Sequence, residues 1–173
     1  METLYTCKIW ESNDLPHLLS YLDHLDTEAR SRFGPHAFTA ETLLQLYHSS
    51  AYKGFLLIEN RSTYIIGYAI IRLGYFEHDL LRFHSYSYYP DYNSTAMYAP
   101  SLASEWRNKG LGKTLWYSVE DYLKQLQVKK VLLWGGVQEN NLTAVHYYKK
   151  LGFETLGRFE MNSMWNLDMC RSL

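Results

Sequence analysis

The sequence has little cysteine, little proline and no excess of charge of either sign. Its 173 residues include two cysteines, Cys7 and Cys170, and four prolines, and the formal net charge is -1. Two distant cysteines form neither a disulfide framework nor a paired zinc motif, and the seven histidines show no His-x-x-x-His spacing. Nucleic-acid-binding domains are usually strongly basic. The composition therefore predicts no metal site and no nucleic-acid partner.

The sequence also lacks long apolar runs, internal repeats and flexible linkers. No stretch approaches the roughly 20 apolar residues that cross a bilayer, and residues 1–8 have neither the basic nor the apolar region of a secretory signal. No stretch rich in Pro, Gly or Ser divides the chain, whose length suits one domain of roughly 100–200 residues. We therefore expect a single domain over residues 1–173, in a cytoplasmic protein without a membrane partner.

Aromatic residues are the one class in clear excess, at 16% of the chain, with Tyr 16, Phe 7 and Trp 5. They are densest between residues 75 and 98, where the alternation in Tyr86-Ser87-Tyr88 predicts an extended hairpin with its rings on one face. Three interpretations remain open, namely ordinary packing on a sheet, the wall of a ligand pocket, and the surface of a homodimer. The aromatic residues of this stretch are Tyr75, Phe76, Phe83, Tyr86, Tyr88, Tyr89, Tyr92 and Tyr98.

Hydrophobic periodicity predicts a chain in which helices and strands alternate. Asp14 and Thr39 are predicted helix N-caps, and Gly152 is the left-handed residue expected after the last helix. The predicted strands are 4–10, 53–59, 63–73, 96–104, 130–137, 153–160 and 164–170, and the predicted helices are 14–25, 39–47, 110–126 and 141–152. The helix 110–126 carries an apolar stripe of Leu111, Leu115, Val119, Tyr122 and Leu126. This order predicts a mixed α/β (α+β) fold in which a helix joins two parallel strands.

The densest chemical signal is the segment 106–114, which lies between a predicted strand and the start of the amphipathic helix. Free amides and the positive end of a helix dipole bind phosphates at such a place, and glycines let the chain approach them closely. A Walker loop would require glycine at Arg107, and a dinucleotide fingerprint would require a third glycine at Leu115. The spacing Arg-x-x-Gly-x-Gly is complete at Arg107, Gly110 and Gly112. An ordinary turn from strand to helix satisfies the same pattern.

A second motif follows one helix and one strand later, in residues 140–153. Asn141 opens a helix, where its side chain can cap unpaired amides or contact a ligand. Tyr148 lies seven residues further on, and therefore on nearly the same helix face. A phenol at this position can act as a general acid toward a leaving group. The fixed spacing comprises Asn141, Ala144, Tyr148, Gly152 and Phe153.

Both motifs resemble those of the GNAT superfamily of N-acetyltransferases, which carry Arg/Gln-x-x-Gly-x-Gly/Ala and Asn-x-x-Ala-x-x-x-Tyr-x-x-x-Gly-Phe. The resemblance covers about residues 96–160. It implies a GNAT-type mixed, mostly antiparallel central sheet of about seven strands with helices on both faces. It also implies acetyl-CoA as co-substrate and no metal. The residues implied to hold its diphosphate are Arg107, Asn108, Lys109, Gly110, Leu111, Gly112 and Lys113.

The resemblance implies roles for a few further residues. Tyr148 would donate a proton to the CoA sulfur, and Asn141 would flank the pantetheine arm. Pro100 would mark a bulge that separates the fourth strand from the fifth and opens the acyl-CoA cleft. Main-chain groups near Leu102 would then face the acetyl carbonyl. The family often has proline where this chain has Ser104, a departure that concerns only the local alignment of the strand.

The implied activity is transfer of the acetyl group from acetyl-CoA directly to a primary amine. Two alternatives remain open. The first is a non-catalytic acyl-CoA sensor or scaffold with the same fold, and the second is a nucleotide phosphotransferase, which rests on Gly112-Lys113-Thr114 alone. Protein N-termini, polyamines, amino sugars and small metabolites all remain open as acceptors.

Acetyl transfer needs the accepting amine in its neutral form, which suggests a base near the reacting groups. His146 is expected to be exposed and turned away from Tyr148. The simpler interpretation of each base candidate is a solvated surface residue. These candidates are Glu77, His78, Asp79, His84, Glu105 and Glu139.

Overall fold

The computed structural model describes residues 4–173. This part of the chain contains eight β-strands and six α-helices. The strands are β1 (Tyr5–Ile9), β2 (Tyr52–Glu59), β3 (Ile65–Leu73), β4 (Thr95–Leu102), β5 (Lys130–Leu133), β6 (Val137–Gln138), β7 (Glu154–Met161) and β8 (Met164–Ser172). The helices are α1 (Leu15–Asp23), α2 (Thr27–Arg32), α3 (Ala40–His48), α4 (Leu80–Ser85), α5 (Leu111–Gln125) and α6 (Leu142–Lys150). Among these residues, no helix combines the length and the apolar composition needed to cross a membrane.

The strands form one mixed sheet in the order β1-β2-β3-β4-β5-β8-β6, and β7 also pairs with β8. Strands β4 and β5 are parallel, with Thr95 opposite Lys130 and Tyr98 opposite Leu133. The pairs β1/β2, β5/β8, β6/β8 and β7/β8 are antiparallel. Parallel neighbours need a crossover connection, and α5 supplies it. The structure thus confirms the predicted mixed, mostly antiparallel sheet.

The chain divides into two compact units. The first comprises Met1–Ile71 and Ala99–Tyr122, and the second comprises Arg72–Tyr98 and Leu123–Leu173. The first unit therefore contains the segment 106–114, and the second contains Asn141 and Tyr148. That the two units form a single domain stays a prediction.

Local capping signals identify two helix starts of the first unit, but only one of the two side chains makes the capping hydrogen bond. The Thr39 side chain accepts a hydrogen bond from the Thr42 amide at 3.2 Å, which confirms it as the N-cap of α3. The Asp14 carboxylate does not cap α1. It accepts instead from the Glu11 amide at 2.8 Å and pairs with Lys8 at 3.0 Å. Asp14 is therefore the N-cap residue of α1 as predicted, but these two groups occupy its carboxylate, which makes no capping hydrogen bond to the helix.

The apolar stripe of α5 is buried as predicted except at its end. Leu111, Leu115 and Val119 are buried. The helix stops at Gln125, so Leu126 lies beyond it and is 43% exposed. Gln127, the next residue, has a left-handed backbone, with a φ of 60°. The left-handed backbone at Gln127 ends the helix, so Leu126 does not continue the buried stripe.

The predicted strand 130–137 is two strands. Strand β5 ends at Leu133, and Gly135 and Gly136 follow with φ of 74° and 70°. Two consecutive left-handed residues turn the chain. Strand β6 then pairs with β8. This division gives eight strands where the resemblance implied about seven.

The aromatic segment between β3 and β4 is helical, so the predicted hairpin around Tyr86-Ser87-Tyr88 is wrong. A 3-10 turn, Glu77–Asp79, leads into α4, and the Tyr86 amide donates to the Phe83 carbonyl. Ser87 has a φ of 58°, which breaks the strand-like alternation. Aromatic rings of the segment pack around a buried cluster. That cluster consists of Phe83, Met97, Leu132 and Cys170, with Tyr75, Phe76, Tyr86 and Tyr88 packed against it.

A buried ion cluster holds α4 in the second unit. Arg82 lies between two carboxylates, with Nε 2.7 Å from Asp168 and a terminal nitrogen 2.8 Å from Asp79. The Tyr86 hydroxyl donates to Asp168 at 3.2 Å. Asp168 is 1% exposed and Asp79 is 5% exposed. Burial raises the pKa of Asp168, and the hydrogen bond and charge of Arg82 oppose that rise.

Removing Arg82 should therefore be costly. Arg82→Ala would leave two buried carboxylates without a cation, and breaking a buried ion pair in this way costs about 3–5 kcal/mol. Urea denaturation measures the change in the free energy of unfolding. Arg158→Ala is the matched control, because Arg158 is exposed and lies 3.8 Å from Glu139, and exposed pairs contribute about 0–1 kcal/mol. Equal losses in the two variants would contradict this account of the cluster.

Candidate active site

The segment 106–114 forms a left-handed turn at the start of α5. Asn108 and Gly110 have φ of 60° and 79°. Side chains rarely adopt this conformation, so Gly110 suits the position and asparagine tolerates it better than most residues. The Lys113 amide bonds to the Gly110 carbonyl at 3.0 Å, which begins the helix. The turn therefore places the positive end of a 15-residue helix at the glycines.

Arg107 fixes this turn to its own unit. Its Nε donates to the Leu102 carbonyl at 3.2 Å, and a terminal nitrogen donates to the Asp26 carboxylate. Asp26 is also the N-cap of α2 and accepts from the Ala29 amide at 2.9 Å. That backbone hydrogen bond, followed by the charge of Arg107, lowers the pKa of Asp26. The Arg107 guanidinium is thus engaged by protein groups on both sides, and its contact with a cofactor stays a prediction.

Two lysines supply exposed positive charge at the turn. Lys109 Nζ lies 4.8 Å from the centroid of the Trp106 ring, and Lys113 Nζ lies 5.4 Å from that of Tyr117. Cation–π contacts of this kind restrain a flexible side chain. Together with the amides of α5, the two ammonium groups provide a basic surface suited to a diphosphate.

Strand β4 loses its β5 partner before it reaches the turn. The paired residues end with Tyr98 opposite Leu133, where β5 ends, and the Trp134 amide donates to the Tyr98 carbonyl at 2.9 Å. Pro100 lies two residues further along β4. Because proline has no amide hydrogen, it suits a position without a ladder partner.

The second unit carries Asn141 and Tyr148 on α6. The Asn141 side chain accepts from the Ala144 amide at 3.2 Å, which confirms it as the N-cap. Gly152 follows the helix with a φ of 86°, as predicted. His146 is exposed, also as predicted. The spacing therefore identified both ends of α6 correctly.

The Tyr148 phenol is held in its protonated form. Its ring lies 5.1 Å from Tyr147 and 5.6 Å from Phe153, measured between centroids. Burial, followed by the neighbouring Tyr147, raises the pKa of Tyr148 well above its usual range. Burial also raises the pKa of Tyr147 to about 12, against the effect of a hydrogen bond with Tyr98. At neutral pH, Tyr148 thus keeps a proton that it can donate.

The six base candidates differ in their surroundings. Asp79 is buried against Arg82, which contradicts its interpretation as a solvated residue. Glu105 accepts from the Ser104 hydroxyl at 3.1 Å, and Glu139 lies 3.8 Å from Arg158. Glu77, His78 and His84 are exposed. Among residues 4–173, no group of three His, Cys, Asp or Glu side chains is arranged to hold a metal ion.

Sequence reasoning missed a hydrogen-bonded chain in the first unit. His36 Nδ1 lies 2.9 Å from the Ala37 carbonyl and must carry a hydrogen to bond it, so Nε2 accepts from the Tyr68 hydroxyl at 3.0 Å. Tyr68 has then used its one proton, so Tyr47 donates to it. Burial lowers the pKa of His36. These residues are far apart in the sequence, and no motif marks them.

Comparison with known proteins agrees with this geometry. The family model described as the Acetyltransferase (GNAT) family matches residues 19–153. The chain is similar to a spermidine N-acetyltransferase from Vibrio cholerae solved with CoA and spermine, at 21% identity over 99% of this chain and 96% of that chain, with a TM-score of 0.72. It is also similar to the aminoglycoside acetyltransferase AAC(6')-Ib solved with coenzyme A, at 20% identity over 97% and 94%, with a TM-score of 0.70.

A third solved structure is a GCN5-related N-acetyltransferase from Kribbella flavida, at 17% identity over 98% of each chain, with a TM-score of 0.71. At these identities the solved structures show the fold alone. No curated protein sequence matches the chain significantly. The family match spans most of the chain and includes both the turn before α5 and the helix α6. This protein therefore belongs to the GNAT acetyltransferase family.

Proposed function

We propose that this protein is an N-acetyltransferase that moves the acetyl group of acetyl-CoA directly to a primary amine. The observation that carries the proposal is the left-handed turn at Asn108 and Gly110, directly before α5, in a chain of the GNAT family. The similar solved structures include a spermidine N-acetyltransferase and an aminoglycoside acetyltransferase. Spermidine and aminoglycosides are amines, which supports an amine as acceptor in this protein as well.

In the first unit, the turn would hold the diphosphate of acetyl-CoA. The main-chain amides of 108–112 and the helix end supply hydrogen bonds and positive potential. Lys109 and Lys113 add charge, because both ammonium groups are exposed beside the turn. Arg107 would act mainly by positioning the backbone. Its hydrogen bond to the Leu102 carbonyl holds the end of β4 against the turn. Main-chain groups at Leu102 would face the acetyl carbonyl, as the resemblance implies.

In the second unit, Tyr148 and Asn141 would serve the pantetheine arm and its sulfur. The amine nitrogen attacks the acetyl carbonyl carbon, a C–N bond forms, and the C–S bond breaks. The Tyr148 hydroxyl donates its proton to the departing sulfur, which leaves as the free CoA thiol. At neutral pH the Tyr148 phenol is protonated, as a proton donor must be. The attacking amine arrives neutral, and the proton that it gives up after attack passes through solvent to the Tyr148 phenolate, which restores the acid.

An acceptor screen tests the proposed reaction directly. Acetyl-CoA is incubated with a panel of primary amines, and the free CoA thiol is followed with a thiol-reactive dye. We expect thiol release that depends on the amine, with mass spectrometry detecting one added acetyl group on it. Binding of acetyl-CoA without amine-dependent thiol release across the panel would contradict the proposal and indicate a non-catalytic sensor or scaffold.

The diphosphate site is tested at Gly110. In Gly110→Glu, a side chain is forced onto a left-handed backbone, and its charge repels the diphosphate. We expect the affinity for acetyl-CoA in calorimetry to fall by at least about tenfold, or about 1.4 kcal/mol. Gly110→Ala is the matched control, because it introduces the strain without the charge and should lose less affinity. Unchanged binding in Gly110→Glu would exclude this turn as the diphosphate site.

The acid role is tested at Tyr148. Tyr148→Phe removes the proton donor and keeps the ring, so kcat should fall by about 100-fold or more, while the Kd for acetyl-CoA changes by less than about threefold. Tyr147→Phe is the matched control, since it removes the adjacent phenol and leaves the Tyr148 hydroxyl in place. Steady-state kinetics and calorimetry separate the two effects. Full turnover by Tyr148→Phe would rule out the proposed acid.

A further inference from the structure

An open pocket of about 590 Å³ lies in the second unit, in the segment between β3 and β4. A volume of this size suits a small organic ligand. None of the residues proposed to bind acetyl-CoA lines it. Its lining residues are Tyr75, Glu77, Leu80, Leu81, His84 and Tyr92.

One wall of the pocket is a single helical face. Glu77, Leu80, Leu81 and His84 follow the spacing i, i+3, i+4 and i+7 along the 3-10 turn and α4. The other face of this element is buried, because Arg82 bonds to Asp79 and Asp168. Leu81 is 83% exposed, so this large apolar side chain contributes little to folding. The ion cluster therefore holds an apolar stripe with one carboxylate on the pocket side.

The aromatic part of the lining is a pair of tyrosines, Tyr75 and Tyr92. The Tyr75 and Tyr92 rings meet edge to face, with their centroids 5.1 Å apart and their planes at 76°. Gly74 has a φ of 78°, and a Cβ there would collide with the Tyr92 ring. The Gly74 amide also donates to the Thr95 carbonyl at 2.7 Å. Tyr92 thus packs on a fixed stretch of backbone, and the aromatic wall is preformed.

Charge at the pocket favours a ligand with one positive centre. Glu77 is the carboxylate among the lining residues, and His84 stacks beside Tyr89 at 4.8 Å. Arg72 lies next to the aromatic wall, 5.8 Å from the Tyr92 centroid, and donates to the Tyr75 carbonyl. An ammonium group can pair with Glu77, but a second positive charge placed near Tyr92 would be repelled by Arg72.

We propose that this pocket binds an organic monoammonium ion, in which a primary ammonium group is joined to an aromatic or branched alkyl group. The ammonium group pairs with Glu77, and the apolar group lies between Leu81 and the rings of Tyr75 and Tyr92. Aromatic and aliphatic walls with one placed carboxylate are the usual recognition elements for such a cation. The proposal concerns binding only and does not rest on the proposed acetyl transfer.

The test uses 2-phenylethylammonium as probe and 2-phenylethanol as its neutral counterpart. Amide shifts of the ¹⁵N-labelled full chain are followed without acetyl-CoA present. We expect saturable shifts centred on residues 74–92 and an affinity about threefold higher for the cation, because Glu77 is exposed and exposed ion pairs are weak. Spermidine, which carries several positive charges, should bind more weakly than the probe.

Three variants assign the contacts. Glu77→Gln should weaken binding of the probe by about threefold, as expected for the loss of an exposed ion pair, and Leu81→Ser should weaken both the probe and the neutral alcohol. Glu160→Gln, an exposed carboxylate on β7, is the charge-matched control and should bind as the wild type does. Equal affinity for the alcohol, unchanged binding in Glu77→Gln, tighter binding of spermidine, or shifts centred elsewhere would each overturn the proposal. Acetyl-CoA calorimetry on Glu77→Gln should match the wild type, which keeps this test separate from the proposed function.

Discussion

The reversal of backbone hand at Asn108 and Gly110 is the constraint on which the candidate site depends. It ends the extended segment that follows β4 and begins α5. Helix α5 is the crossover that leads to the parallel strand β5. The same reversal begins a helix where a continuing strand would otherwise lie, so the first amides of α5 have no strand partner and suit an anion. Arg107 holds the turn through Leu102 and Asp26, so its geometry does not depend on a bound anion.

Short-range signals in the sequence predicted the local parts of this structure. The glycine spacing identified the turn, and Asn141 and Gly152 identified both ends of α6. Each of these features depends on residues within a few positions of one another, so a local sequence pattern is enough to predict it. The parallel pair β4 and β5 followed from the order of the elements, in which one helix joins the two strands. The failure at 75–98 has a different origin, because there a partner outside the local pattern decides the structure.

The second unit shows this most clearly. Arg82 bonds to Asp168, which lies 86 residues further along the chain. No periodicity in 75–98 reveals that partner, and the alternation of aromatic residues alone favours a strand. The segment is helical instead, and the Arg82 guanidinium pairs with two buried carboxylates. Leaving a buried charge unpaired costs far more free energy than losing the alternation of aromatic residues. The hydrogen-bonded chain of Tyr47, Tyr68 and His36 escaped prediction for the same reason.

In this member of the GNAT family, we propose that the turn at Asn108 and Gly110 binds the diphosphate of acetyl-CoA. The most direct measurement is a titration of the ¹⁵N-labelled protein with CoA, in which the amide shift of every residue is read separately. We predict that the amides of 108–113 shift most strongly and saturate together. If CoA binds but the chemical shifts of these amides do not change, the central claim is contradicted.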